Sequence, residues 1–208
     1  MTIANGPNLV TRDLIMHLDA ANIKSYPGSG TTWYDLTGNG YNATLTGSPT
    51  NSGGVFQFNG SNYAQVSSLN LSSSPYTIIG GSRYSGATRG RMITAINNNW
   101  LMGHWSSSVG NYYAVGWVTG AGVGGNDTTW RIYAATGAST NNAWGLYING
   151  AVSVSGSGGT AGPNGIQVPQ AAGEQSIGEC AFILAYNRIL TDLEIQQNYN
   201  ALRGRFGI

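Results

Sequence analysis

Residues 145–154 read GLYINGAVSV. Leu146 and Ile148 alternate before Asn149-Gly150, and Val152 and Val154 alternate after it. Both central residues accept the positive φ of a type I′ turn, so the stretch predicts a two-residue β-hairpin. The same period of two recurs in LIMHLDA, VFQFNG, YAQVSS, YTIIGG, RMITAI, NYYAVGWV, TTWRIYAA and ECAFILAY. That period buries one face of a sheet, whereas a helix would need a period near 3.6. Turn chemistry separates the runs at Pro27-Gly28, Asn39-Gly40, Ser52-Gly53-Gly54, residues 122–125 and residues 156–163. Short strands so spaced predict an all-β sandwich or barrel. No repeat or shift in composition divides the chain, so residues 1–208 are expected to form one domain.

One helix is expected, at the C-terminal end. Thr191 and Glu194 form a capping-box pattern, and Ile195, Tyr199 and Leu202 mark one helical face. Near the start, TTWYDLTGNGYNATLTG (residues 31–47) is expected to lead into the sandwich. Trp33 and Leu36 would anchor it, Asp35 would cap a turn through its own backbone amides, and NATL would begin a strand.

Charged residues make up only 8% of the chain, and Gly, Ser, Thr and Asn fill the space. A neutral polar surface suits a subunit that packs against neighbours, and it equally accompanies many turns. The net charge is +1 and Lys24 is the single lysine. There is no basic stripe to neutralise phosphates, so nucleic acid is not an expected partner. No apolar stretch is long enough for a membrane-spanning helix, and no membrane partner is expected. The N-terminus lacks a signal-peptide pattern, so synthesis in a cytosol is expected. One cysteine, Cys180, allows no internal disulfide; alternation in ECAFILAY places it with Phe182 and Leu184 on a core face.

Catalytic patterns are sparse. The glycines at 120, 122 and 125 match a dinucleotide fingerprint, but a strand-like run follows them where a helix would be required. One Cys and two distant His exclude a zinc site of the structural kind. His17 and His104 have no serine elbow to serve. Glu174 and Glu179 are five apart and would not share a strand face as a glycosidase pair. Hydrolysis, and with it any catalytic residue, is therefore not expected. Aromatics are the richer signal, dense from Trp100 to Trp130. Such rings stack on sugars, fill cores or build subunit interfaces. Arg83, Arg89 and Arg91 form the one basic cluster, which would be an anchor or a solvated loop. Because Trp, Tyr and Arg dominate contact hot spots, the main ligand or subunit contact is expected on Arg89, Arg91, His104, Trp105, Tyr113 and Trp130.

Four stretches carry a resemblance: HLDAANIKSYPGSGTTWYDLTGNGYNATLTGSP, FQFNGSNYAQV, LYING and AFILAYNRILTDLEIQQNYNALRGRFG, in that order. Together they resemble the laminin-G-like, concanavalin A-like lectin/glucanase domains encoded by tailed bacteriophages, especially those of marine and cyanobacterial hosts. The middle, including NNNWLMGHW and NDTTWRIYAATG, is similar to the same group. The resemblance implies a jelly-roll sandwich of two antiparallel sheets with a short C-terminal helix. It also implies a non-enzymatic virion surface protein, a capsid decoration or head-fibre subunit. Its partners would be the major capsid protein, further copies of itself in a homo-oligomer, and host-surface glycans. The alternative is a carbohydrate-binding adhesin of a tail fibre or baseplate; a glucanase-like enzyme is the third option. With no fibre shaft in the chain, a separate docked subunit is the expectation. Relatives with bound calcium carry acids where Asn59 and Asn62 stand here, which weakens a calcium site. The E-x-D-x-x-E strand of the glucan hydrolases is absent. No cofactor or metal is therefore expected.

Overall fold

The computed structural model describes residues 7–121, 124–138, 143–170 and 172–208. Among them lie fifteen strands, one α-helix and a short 3₁₀ turn. The first strands are β1 (Leu14–Asp19), β2 (Thr32–Trp33), β3 (Ala43–Thr46), β4 (Thr50–Ser52) and β5 (Val55–Asn59). Then come β6 (Tyr63–Asn70), β7 (Tyr76–Arg89), β8 (Ile93–Thr94), β9 (Trp100–Trp105) and β10 (Ser108–Ala114). The last are β11 (Arg131–Ala138), β12 (Ala143–Ile148), β13 (Ala151–Gly156), β14 (Asn164–Val168) and β15 (Ser176–Tyr186), followed by α1 (Asp192–Leu202).

The strands form two antiparallel sheets. One has the order β13-β12-β11-β7-β15-β5-β4, and the other β10-β9-β8-β14-β6-β3-β2. β1 also pairs with β15, along residues 182–186, while β5 takes residues 177–180 of the same strand. The expected all-β sandwich of two antiparallel sheets with a C-terminal helix is the observed architecture.

Alternation accounts for the core. Trp33, Phe56, Ile78, Trp100, Tyr112 and Leu146 point between the sheets. The other face of the eight-stranded sheet is apolar too: Ile79, Ile132, Ala134, Phe182, Leu184 and Tyr186 form a second cluster with Ile195 and Leu202 of α1. That face would be wet without α1, which packs over it. Its N-terminus has the capping box read from the sequence, with Thr191 and Glu194 bonding reciprocally. The hairpin is also as expected: Asn149 and Gly150 take φ 52° and 79° between β12 and β13.

Two expectations need correction. Cys180 is buried and unpaired, but it does not share a face with Phe182 and Leu184. A bulge between Cys180 and Phe182 shifts the register, so Cys180, Ile183 and Ala185 face the inter-sheet core and Phe182 and Leu184 the helix side. The solvated-loop reading of the arginine cluster holds only in part: the fourteen-residue β7 carries Arg83 and Arg89, and Arg91 follows in the short connection to β8. The glycine pattern at 120, 122 and 125 falls partly outside the described residues, at Gly122.

Asp35 does more than cap its own turn. Its carboxylate accepts from the Thr37 and Tyr41 amides and also from the His17 amide of β1, at 2.9 Å. Asn59 and Asn62 hold a tight turn, each accepting a backbone amide of the other's segment at 2.9–3.2 Å. Among the described residues, no three His, Cys, Asp or Glu side chains gather as a metal would require. No helix there is long and apolar enough to cross a membrane.

Candidate functional site

The β9–β10 hairpin builds the most distinctive surface. Alternation sends Trp100 and Met102 inward and leaves Leu101 and Trp105 on the outer face. The register sets Tyr113 opposite Leu101. Just after β10 the chain turns back, and Trp117 bridges to Tyr113. The Trp117 ring meets Trp105 edge-on at 5.1 Å and Tyr113 at 5.0 Å. These rings, with Leu101, Arg91, Asn99 and Glu174, line a cleft of about 250 Å³.

A chain of polar contacts fixes its wall. Glu174 accepts the Trp105 indole N–H on one oxygen at 2.6 Å and meets the Arg91 guanidinium on the other at 2.6 Å. Arg91 also donates to the Asn99 side chain at 2.7 Å, and its backbone amide donates to the Glu174 carbonyl at 2.9 Å. The rotamers of Trp105, Arg91 and Asn99 are therefore set before any ligand arrives. A second hollow of about 590 Å³ adjoins the cleft, sharing Arg91 and Asn99, with Thr94, Asn97, Gln167 and Gln170 on its lining.

Of the six residues expected at the contact, Arg91, Trp105 and Tyr113 converge here. The other three lie elsewhere. His104 is fully buried, edge-on between Tyr84 at 4.6 Å and Tyr133 at 5.1 Å, so it touches no surface ligand. Burial, aided by the nearby Arg131 charge, holds its imidazole down at about 3. Arg89 donates to the Gly86 carbonyl and to Asn126 and lies over the Tyr84 ring. Trp130 lies just before β11 on the helix side of the other sheet, stacked on Phe206 at 4.6 Å beneath Arg83. There it lines a separate hollow of about 260 Å³ with Arg205 and Glu179. Trp117, Asn99 and Glu174 were not among the expected contacts. Trp117 stood inside the aromatic run that pointed here, whereas Glu174 and Asn99 are brought in by the fold.

The carboxylates elsewhere are equally committed. Asp13, Asp19, Asp127, Glu174, Glu179 and Glu194 each lie in an ion pair with arginine. Of the remaining two, Asp35 accepts backbone amides and Asp192 accepts the Tyr147 hydroxyl at 2.7 Å. Glu174 and Glu179, the two acids weighed as a catalytic pair, serve different hollows and different arginines.

No protein-family model matches the chain, and no curated protein matches it. Solved structures do. A Trypanosoma rangeli sialidase in complex with sialic acid superposes with a TM-score of 0.68 at 12% identity, over 97% of this chain and 36% of that one. The botulinum neurotoxin serotype D ligand-binding domain in complex with N-acetylneuraminic acid gives 0.59 at 14% identity, over 91% of this chain and 51% of that one. This chain thus spans about a third of the sialidase and about half of the toxin fragment. At such identities the likeness is one of fold: a concanavalin A-like jelly-roll sandwich of two antiparallel sheets.

Proposed function

We propose that this chain is a non-catalytic carbohydrate-binding protein, and that a sugar ring sits in the cleft between Trp105, Tyr113 and Trp117. The observation that carries this is the convergence of three rings with a pre-set polar wall of Arg91, Asn99 and Glu174. Rings supply stacking faces and the fixed polar groups supply orientation, the usual division of labour in a ligand site. The sialidase and toxin structures are complexes with sialic acid, which supports a saccharide as the ligand class. The engagement of every carboxylate supports binding without hydrolysis: none stands free to act as acid, base or nucleophile. A glycan array probed with the purified protein is the test. Trp105→Ala and Trp117→Ala should each weaken the selected glycan at least tenfold with an unchanged circular dichroism spectrum. Equal binding by both variants would move the site elsewhere, and turnover of any bound glycan would make the protein an enzyme.

A place on the surface of a tailed-phage particle, made in the host cytoplasm, remains our reading of the sequence resemblance. Decoration of a capsid requires self-association or docking on the major capsid protein, and one feature favours the first. β13 is a sheet edge of six residues, AVSVSG, without charge or proline. Among the described residues it is exposed almost throughout, and Val152 is 57% exposed. Natural edges of that length are usually blunted by charge. Val152→Lys should therefore shift the protein toward monomer in sedimentation velocity; an unchanged distribution would exclude this edge as the contact.

A further inference from the structure

The cleft does not end at its rings. Strand register places one residue of each strand of the seven-stranded sheet in a single row on the outer face. Tyr113 lies opposite Leu101, Leu101 opposite Thr94, Thr94 opposite Gln167, and Gln167 opposite Gln65. Thr44 and Thr32 continue the row. The inward neighbours Ile93, Ile166, Val168, Ala64 and Val66 all belong to the inter-sheet core, so the row lies on the sheet's other face, where Leu101, Thr94 and Gln167 are largely covered and floor the cleft and the hollow. Beyond Tyr113 and Leu101 it is made only of hydroxyl and amide side chains.

Charge is the second observation. Among the residues lining the cleft and the adjoining hollow, Arg91 and Glu174 are the only charged ones. They are bound to each other at 2.6 Å, and the Arg91 side chain is 14% exposed. The guanidinium is further held by Asn99. An anionic sugar would have to displace Glu174 from Arg91 or lie beside the Glu174 carboxylate. Separating the pair leaves the largely buried Arg91 charge without its partner, which is costly. Hydroxyl groups ask for nothing of the kind, since amides and hydroxyls both donate and accept.

We infer that the ligand of this site is an uncharged, extended oligosaccharide. Resting on the carbohydrate-binding function proposed above, one ring occupies the aromatic cleft and the following units run across the strands over Thr94, Asn97 and Gln167 toward Gln65. From Tyr113 to Gln65 the row crosses four strand spacings, about 19 Å in all, which holds several pyranose units. The class differs from the sialic acid named for the sialidase and toxin structures.

Calorimetry on the purified protein tests it, with gluco-, galacto- and N-acetyllactosamine oligosaccharides of two to six units, each with and without a terminal sialic acid. The affinity for the neutral series should rise at least tenfold from disaccharide to tetrasaccharide, and sialylated counterparts should bind at least tenfold more weakly. Gln167→Ala should weaken the tetrasaccharide about tenfold and leave the disaccharide unchanged. Glu174→Gln keeps an acceptor for the Trp105 indole but releases Arg91, so it should narrow or invert the preference for neutral ligands. Preference of the wild type for sialylated ligands, affinity independent of length, or an unmoved preference in Glu174→Gln would each overturn the inference while leaving a sugar site in place. Absence of binding by both series, or binding indifferent to Trp105→Ala, would overturn the carbohydrate-binding function itself.

Discussion

His104 lies in the core with no hydrogen-bond partner on either ring nitrogen. The charges of Arg131 and Asp127 act on it in opposite directions, and Tyr84 and Tyr133 enclose it. Below pH 6.5 the unfolded chain protonates this histidine, while the folded chain resists until about pH 3. The stability it secures is therefore complete above pH 6.5 and is lost as the pH falls toward 3, by about 1.4 kcal/mol per unit. His17, also depressed by burial, acts in the same direction. Calorimetric melting of wild type and His104→Phe should show a clearly smaller fall in Tm between pH 7 and pH 4 for the variant. Cys180 is the other silent group. Burial pushes its thiol up to about 12, so a thiol reagent should label the native protein slowly and the denatured protein at once. The burial of Cys180 is legible in its apolar run, but the fate of His104 is not written in the local sequence. His104 stands between Gly103 and Trp105, in a run whose rings go both inward and outward, and only the facing sheet decides its place.

At the scale of elements, local chemistry was legible wherever it is self-contained. Asn149-Gly150 fixes its turn, and Thr191 with Glu194 fixes a helix start, without help from the rest of the chain. Thr191→Ala should cost about 1 kcal/mol, read as a Tm lower by about 2–4 °C. Glu194 also binds both terminal nitrogens of Arg188 at 2.8 Å, which with the cap holds its carboxyl down at about 2. Its contribution is present above pH 4.5 and fades as the pH drops toward 2. What could not be read is long-range. The bulge in β15 has no glycine or proline to announce it, so strict alternation misplaced Phe182 and Leu184. The site was half legible for the same reason. A period of two puts Leu101, Trp105 and Tyr113 on one face, but Glu174 joins Trp105 across 69 residues through sheet order alone.

On the whole-molecule scale, the eight-stranded sheet is apolar on both sides, and α1 covers the second side. Leu202→Asp should therefore be far more damaging than the cap mutation, by about 3 kcal/mol or more, with dye binding to the exposed sheet face as the readout. The binding groove occupies the opposite sheet and should be reshaped only once the whole sandwich melts. The tying of each carboxylate to an arginine, a backbone amide or a tyrosine hydroxyl has a kinetic side as well. With a net charge of +1 and opposite charges held in short pairs, little field extends past a Debye length of about 8 Å. Partners then arrive by unsteered diffusion, with association rate constants of about 10⁵–10⁶ M⁻¹ s⁻¹. Stopped-flow traces between 50 mM and 1 M salt should agree within about twofold. Residence time then rests on dissociation alone, and many copies on one surface would hold a target by rebinding it before it escapes.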